Sequence, residues 1–66
     1  SFNKSFFDFI NSYRIREAQQ ILKESRDDKL TVLEVMYQSG FNSKSSFNTA
    51  FKKETGQTPT EFRKTI

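Results

Sequence analysis

Thr31-Val-Leu-Glu-Val-Met-Tyr-Gln-Ser-Gly-Phe-Asn-Ser-Lys-Ser-Ser-Phe-Asn-Thr-Ala-Phe-Lys-Lys53 is the stretch on which the fold turns. Its apolar residues recur at helical spacing on either side of Ser39-Gly40-Phe41-Asn42. That spacing predicts one helix over 32–39 and a second over 44–54. Two short helices joined by a tight turn containing Gly have the grammar of a helix-turn-helix. Gly40 suits the turn because a backbone with φ > 0 costs Gly little and other residues more. At about 100° per residue, Phe47, Ala50 and Phe51 share one side of the second helix, whereas Ser45, Asn48, Thr49 and Lys52 point the other way. Between Phe41 and Lys53 there are three Lys and no acid. Val32, Val35 and Met36 form the inner face of the first helix and are expected to close on Phe41, Phe47 and Phe51.

Working outward, helix starts are marked by hydroxyl residues. Ser5…Asp8, Thr31…Glu34 and Thr58…Glu61 each place an acid three positions after a Ser or Thr, and Ser43…Ser46 is a fourth candidate cap. The hydroxyl accepts from a free amide of the first turn, and the acid favours the positive end of the helix dipole. Pro59 stands at a first helical position, where its missing N–H is no loss. Gly40 and Gly56 follow helical segments as stop signals. The expected elements are helices over 6–24, 32–39, 44–54 and 59–65, with the polar run 25–29 as a loop and no strand. The fold class is therefore all-α, a small bundle of four helices containing a homeodomain-like helix-turn-helix.

Composition narrows the function. Sixty-six residues allow one small domain, and a chain of this size buries only about 60% of the surface its unfolded form exposes. Eight Phe compensate for a hydrophobic content of 33% by burying much area per position. Cys and His are both absent, so disulfides and the usual zinc sites are excluded and no metal or cofactor is expected. The lack of Cys fits a reducing, cytoplasmic setting. No apolar run reaches the roughly 18 residues of a membrane span and no signal-peptide pattern opens the chain, so no membrane contact is expected of it. A net charge of +3 favours a polyanionic partner. Catalysis is not expected. The acids mostly stand at caps or in the loop, and there is neither a Gly-rich phosphate loop nor a nucleophile–His pair.

Residues 31–63 continue as Glu54-Thr-Gly-Gln-Thr-Pro-Thr-Glu-Phe-Arg63, completing a G-F-x-S…F…F-K-K…G…T-P…E-F-R pattern. This closely resembles the end of the AraC/XylS-type DNA-binding domain. Upstream, Ser5-Phe-Phe-Asp-Phe-Ile-Asn-Ser-Tyr-Arg-Ile-Arg-Glu-Ala18 is similar to the same family's central linker helix. The resemblance implies a bacterial transcription regulator that binds double-stranded operator DNA. It divides the chain into a linker helix (5–24), a helix-turn-helix (31–55) and a final helix (58–65). It further implies that residues 1–66 are part of a larger DNA-binding domain, with a first helix-turn-helix before them and an effector or sensor domain elsewhere. Ser1 to Lys4 then correspond to the tail of that first unit, with Asn3 where the family usually has Gly. Met36 replaces a small Ala, which predicts a wider contact between the two helices.

The helix over 44–54 is the expected recognition helix in the major groove. Lys44, Ser45, Asn48 and Thr49 are the candidates for base contacts: Asn can pair with adenine, the Thr methyl can touch thymine, and Lys44 can reach guanine or a phosphate. Ser43, Lys52 and Lys53 are the candidates for phosphate contacts, and both lysines also complement the helix dipole. Tyr13 and Tyr37 read as packing residues. Arg14 falls among Phe7, Ile10 and Ile21 on the helical wheel and is expected to pair with a carboxylate, since a lone buried charge is costly. The alternative function is a protein-interaction module. Phe6, Phe7, Phe9, Ile10, Tyr13, Ile15, Ala18, Ile21 and Leu22 cover more than half of the first helix, which predicts cover on two sides and self-association of the isolated chain.

Overall fold

The computed structural model describes residues 6–25 and 30–66. The predicted Ser5 cap, Ser1 to Lys4 and most of the 25–29 loop lie outside these residues. Four helices follow in order: α1 (Phe6–Glu24), α2 (Val32–Gln38), α3 (Lys44–Thr55) and α4 (Pro59–Lys64). There is no strand among the described residues. The ends differ from expectation by one residue at most. Ser39 caps α2 instead of extending it, α3 runs on to Thr55, and α4 stops at Lys64.

The caps form as the local chemistry requires. Thr31 Oγ1 accepts from the Glu34 amide at 3.1 Å, while Glu34 Oε1 accepts from the Thr31 amide at 2.9 Å. Thr58 and Glu61 repeat this reciprocal box at 3.2 and 2.9 Å. The Thr58 N–H is the main cause that holds the Glu61 carboxyl below its ordinary value, helped by the Thr58 hydroxyl and by Lys52 and Lys64. Ser43 accepts from the Ser46 amide at 3.1 Å, which starts α3. Gly56, with φ +81°, ends α3 and returns its N–H to the Lys52 carbonyl.

The core gathers Ile15, Ala18 and Leu22 of α1, Val35 and Met36 of α2, Phe41 of the turn, and Phe47, Ala50 and Phe51 of α3. Ile21, Leu30, Val32 and Phe62 pack around them. An aromatic ladder runs through this core: Phe41–Phe47, Phe47–Phe51 and Phe51–Phe62 ring centroids are 5.2, 5.7 and 5.5 Å apart, all at tilted or edge-on angles. Those geometries suit the ring quadrupoles and add about 0.5–1.5 kcal/mol per pair beyond burial. The ladder ties α4 to α3, and Arg63 donates to the Leu30 carbonyl, pinning α4 to the segment that leads into α2.

α1 is the spine, contacting both α2 and α3. Only its Ile15, Ala18, Leu22 stripe is buried. Phe6, Phe7, Phe9 and Tyr13, in its first two turns, are 74, 75, 65 and 63% exposed. Tyr13 and Tyr37 are both mostly exposed and are not packed as their apolar rings suggested. Arg14 also departs from expectation. Among the described residues it has no carboxylate partner, and its guanidinium lies over the Phe41 ring, 5.9 Å from the centroid. Being half-exposed, it keeps part of its hydration, and a ring face satisfies a planar cation without a counter-charge.

Candidate nucleic-acid interface

The interface is built on the turn between α2 and α3. Gly40 adopts φ +100°. Its N–H reaches the Tyr37 carbonyl and the Phe41 N–H reaches back to the Met36 carbonyl, both at 3.1 Å. This pairing is a Schellman closure, which satisfies the last carbonyls of α2 while turning the chain sharply. Ser39 is buried and adds its hydroxyl to the Met36 carbonyl at 3.0 Å. Phe41 then drops into the core beside Phe47. The turn is thus held from both sides, and α3 leaves it in a direction set by backbone bonds and by one ring.

With Phe47, Ala50 and Phe51 buried, α3 presents Lys44, Ser45, Asn48, Thr49, Lys52 and Lys53 to solvent, all exposed. Ser43, the N-cap, is exposed at the helix start. All seven sequence-predicted site residues therefore share one helix and its cap. They are not equivalent. Lys44 and Asn48 border a shallow groove closed by Leu33 of α2 and Thr60 of α4. Ser45, Thr49 and Lys53 border a second groove closed by Asp8 and Asn11 of α1. The ridge between the grooves carries no acid. It offers short donors and acceptors near the α3 N-terminus and cations towards its end, an order suited to reading base edges and gripping phosphate.

One predicted residue is already engaged. Lys53 Nζ lies 3.6 Å from Asp8 Oδ1. One helical turn along α1, Ser12 donates to Glu54 Oε2 at 2.7 Å. α1 and α3 are therefore clipped together by polar contacts along their edge as well as by apolar burial. Asp8, Ser12, Asn11, Leu33 and Thr60 were not among the expected site residues. Ser12 and Glu54 are 42 positions apart, and nothing local signals their meeting.

The chain matches a helix-turn-helix domain family over residues 1–65. It is 38% identical, over 64 residues, to an uncharacterized HTH-type transcriptional regulator in the cgkA 5' region of Pseudoalteromonas carrageenovora, a match covering 97% of this chain and 36% of that protein. It is 36% identical, over 59 residues, to the HTH-type transcriptional regulator GlxA of Rhizobium meliloti (strain 1021), covering 89% of this chain and 17% of that protein. The chain thus spans about a third of the length of the first relative and a sixth of the second. No solved structure gives a significant match. The family match takes in the whole architecture from α1 to α4, the capped helices and the Gly40 turn included, and the chain belongs to the AraC-type helix-turn-helix domain family.

Proposed function

We propose that this chain binds double-stranded DNA sequence-specifically, as part of a bacterial, cytoplasmic transcription regulator, with α3 in the major groove. Lys44, Ser45, Asn48 and Thr49 contact bases; Ser43, Lys52 and Lys53 contact phosphates. The observation that carries this reading is the exposed ridge of α3 over 44–53, free of acids and set on a turn closed by backbone hydrogen bonds. The role is binding and not catalysis. Glu34 and Glu61 serve capping boxes, and Asp8 and Glu54 serve contacts between helices.

The test compares a selected best site with scrambled DNA, using the regulator that carries this chain. Asn48→Ala and Thr49→Ala each lose about 1–3 kcal/mol on the best site and almost nothing on scrambled DNA. Lys52→Ala weakens both alike and lowers the salt slope by about 1. Equal losses for Asn48→Ala on the two DNAs would remove base reading from that position.

A second surface has its own observation. Phe6, Phe9 and Tyr13 share one side of α1 and are exposed, as is Phe7 beside Phe6, and bare aromatic rings gathered at one end of a helix are the kind of surface that marks an interface. In the longer regulator we assign this face to the first helix-turn-helix expected from the family resemblance, with an effector or sensor domain elsewhere in the protein. The 66-residue chain alone then self-associates through it and binds operator more weakly, having one recognition helix and fewer phosphate contacts. In sedimentation at micromolar concentration the chain runs as an oligomer, and Phe6→Ser with Phe9→Ser returns it to monomer. A wild-type monomer that binds no hydrophobic dye would sink this reading.

A further inference from the structure

We infer that Asp8 holds Lys53 away from DNA in the free protein, so that phosphate binding at this corner begins with the exchange of one anion for another. This rests on the DNA-binding reading above and adds a residue of α1 to it. The ion pair spans two helices, with Asp8 Oδ1 and Lys53 Nζ 3.6 Å apart. Asp8 is not carried on a loop that can swing aside. It stands in the first turn of α1, one turn before Ser12, whose hydroxyl is bonded to Glu54, the neighbour of Lys53. The lysine side chain is 66% exposed and the aspartate 39%, so both are wet and the pair is weak enough for a phosphate to displace.

The carboxylate has a second effect. It lines the same groove as Ser45 and Thr49, with Glu54 beside it, so a duplex seated on α3 brings phosphates towards negative charge on the α1 side, of which Asp8 is the part that α1 supplies. Lys44 lies across the ridge, on the α2 and α4 side, with no such acid along its groove. Asp8 therefore both occupies one phosphate ligand and biases the DNA backbone towards the other flank. Removing the charge loosens both restraints, which raises affinity without regard to base sequence.

The experiment is a double-mutant cycle in the regulator that carries this chain, titrating a fluorescent duplex of random sequence between about 20 and about 150 mM salt. Asp8→Asn binds about two- to fivefold more tightly than wild type, the factor to which the worth of an exposed ion pair converts. Its salt slope stays near that of wild type, because Lys53 reaches the phosphate in both complexes once the exchange is made. Lys53→Ala costs little in the wild-type background and cancels the gain in the Asp8→Asn background. Asp8→Ser, which keeps a residue tolerated in a first turn, gives the same gain if Asn disturbs α1, with helicity checked by circular dichroism. An unchanged affinity in both Asp8 variants overturns the inference, and so does a gain that survives Lys53→Ala. A regulator that carries the wild-type chain and binds no duplex at about 20 mM salt instead overturns the DNA reading itself, a result distinct from either of these.

Discussion

Phe51→Ala lowers stability by about 3–5 kcal/mol, the range found when a buried Phe is emptied from a packed core. Phe51 is fully buried, and it is one of the two inner rungs of the ladder, touching Phe47 on one side and Phe62 on the other. Its loss removes transfer free energy, leaves a void between α3 and α4, and deprives Phe62 of its ring partner. Domains hold roughly 0.05–0.15 kcal/mol per residue, so a chain of this length has about 3–10 kcal/mol in total. The variant is therefore expected to lose its cooperative unfolding transition. Phe47→Ala, equally buried, behaves alike. Phe51→Leu keeps most of the volume and separates packing from ring geometry, costing much less if volume dominates. The measurement is urea unfolding followed by circular dichroism. A Phe51→Ala midpoint within experimental error of wild type would show that this ring does not hold α3 on the bundle.

The features legible in the sequence were those decided within one helical turn or by one period. Thr31 with Glu34, and Thr58 with Glu61, close their boxes across three residues, so the sequence alone names both partners. Phe47, Ala50 and Phe51 share a face by period alone, and all are buried. What escaped is what needs two helices at once. Arg14 read as a cation awaiting a carboxylate, because its wheel neighbours are apolar; its actual neighbour is Phe41, which only the turn brings beneath it. Lys53 read as a phosphate ligand for the charge-rich end of α3, and Asp8, an acid in the first turn of another helix, meets it across the bundle. The α1 stripe read as apolar over more than half its circumference, and that is correct as composition. In its first two turns it is the polar edge, Asp8 and Ser12, that meets α3, and so Phe6, Phe7, Phe9 and Tyr13 remain bare. The division of the α3 ridge into two flanks also depends on where α1 and α4 lie, which no periodicity encodes.

Gly40→Val costs about 3 kcal/mol, the upper end for a side chain forced into a backbone region it resists. The residue sits at φ +100°, where L side chains are rarely found and β-branched ones least of all. A second difficulty is steric, since a Cβ built on Gly40 comes 3.1 Å from Arg14 Nε. The two causes can be separated. Arg14 is a long side chain that can shift off the turn, so truncating it in Gly40→Val with Arg14→Ala relieves only the steric part, and most of the loss persists. Gly40→Asn is milder, because Asn tolerates positive φ better than other residues with a side chain. The stability loss has a functional counterpart, because the same turn supplies the Gly40 and Phe41 amides that close α2 and aim α3. A chain that escapes the strain by opening this closure loses the fixed angle between the helices. Binding to a selected site then falls more than binding to random DNA, since base contacts need alignment and phosphate contacts tolerate drift. Full rescue of Gly40→Val stability by Arg14→Ala would locate the whole penalty in the Arg14 contact and remove the argument from backbone conformation.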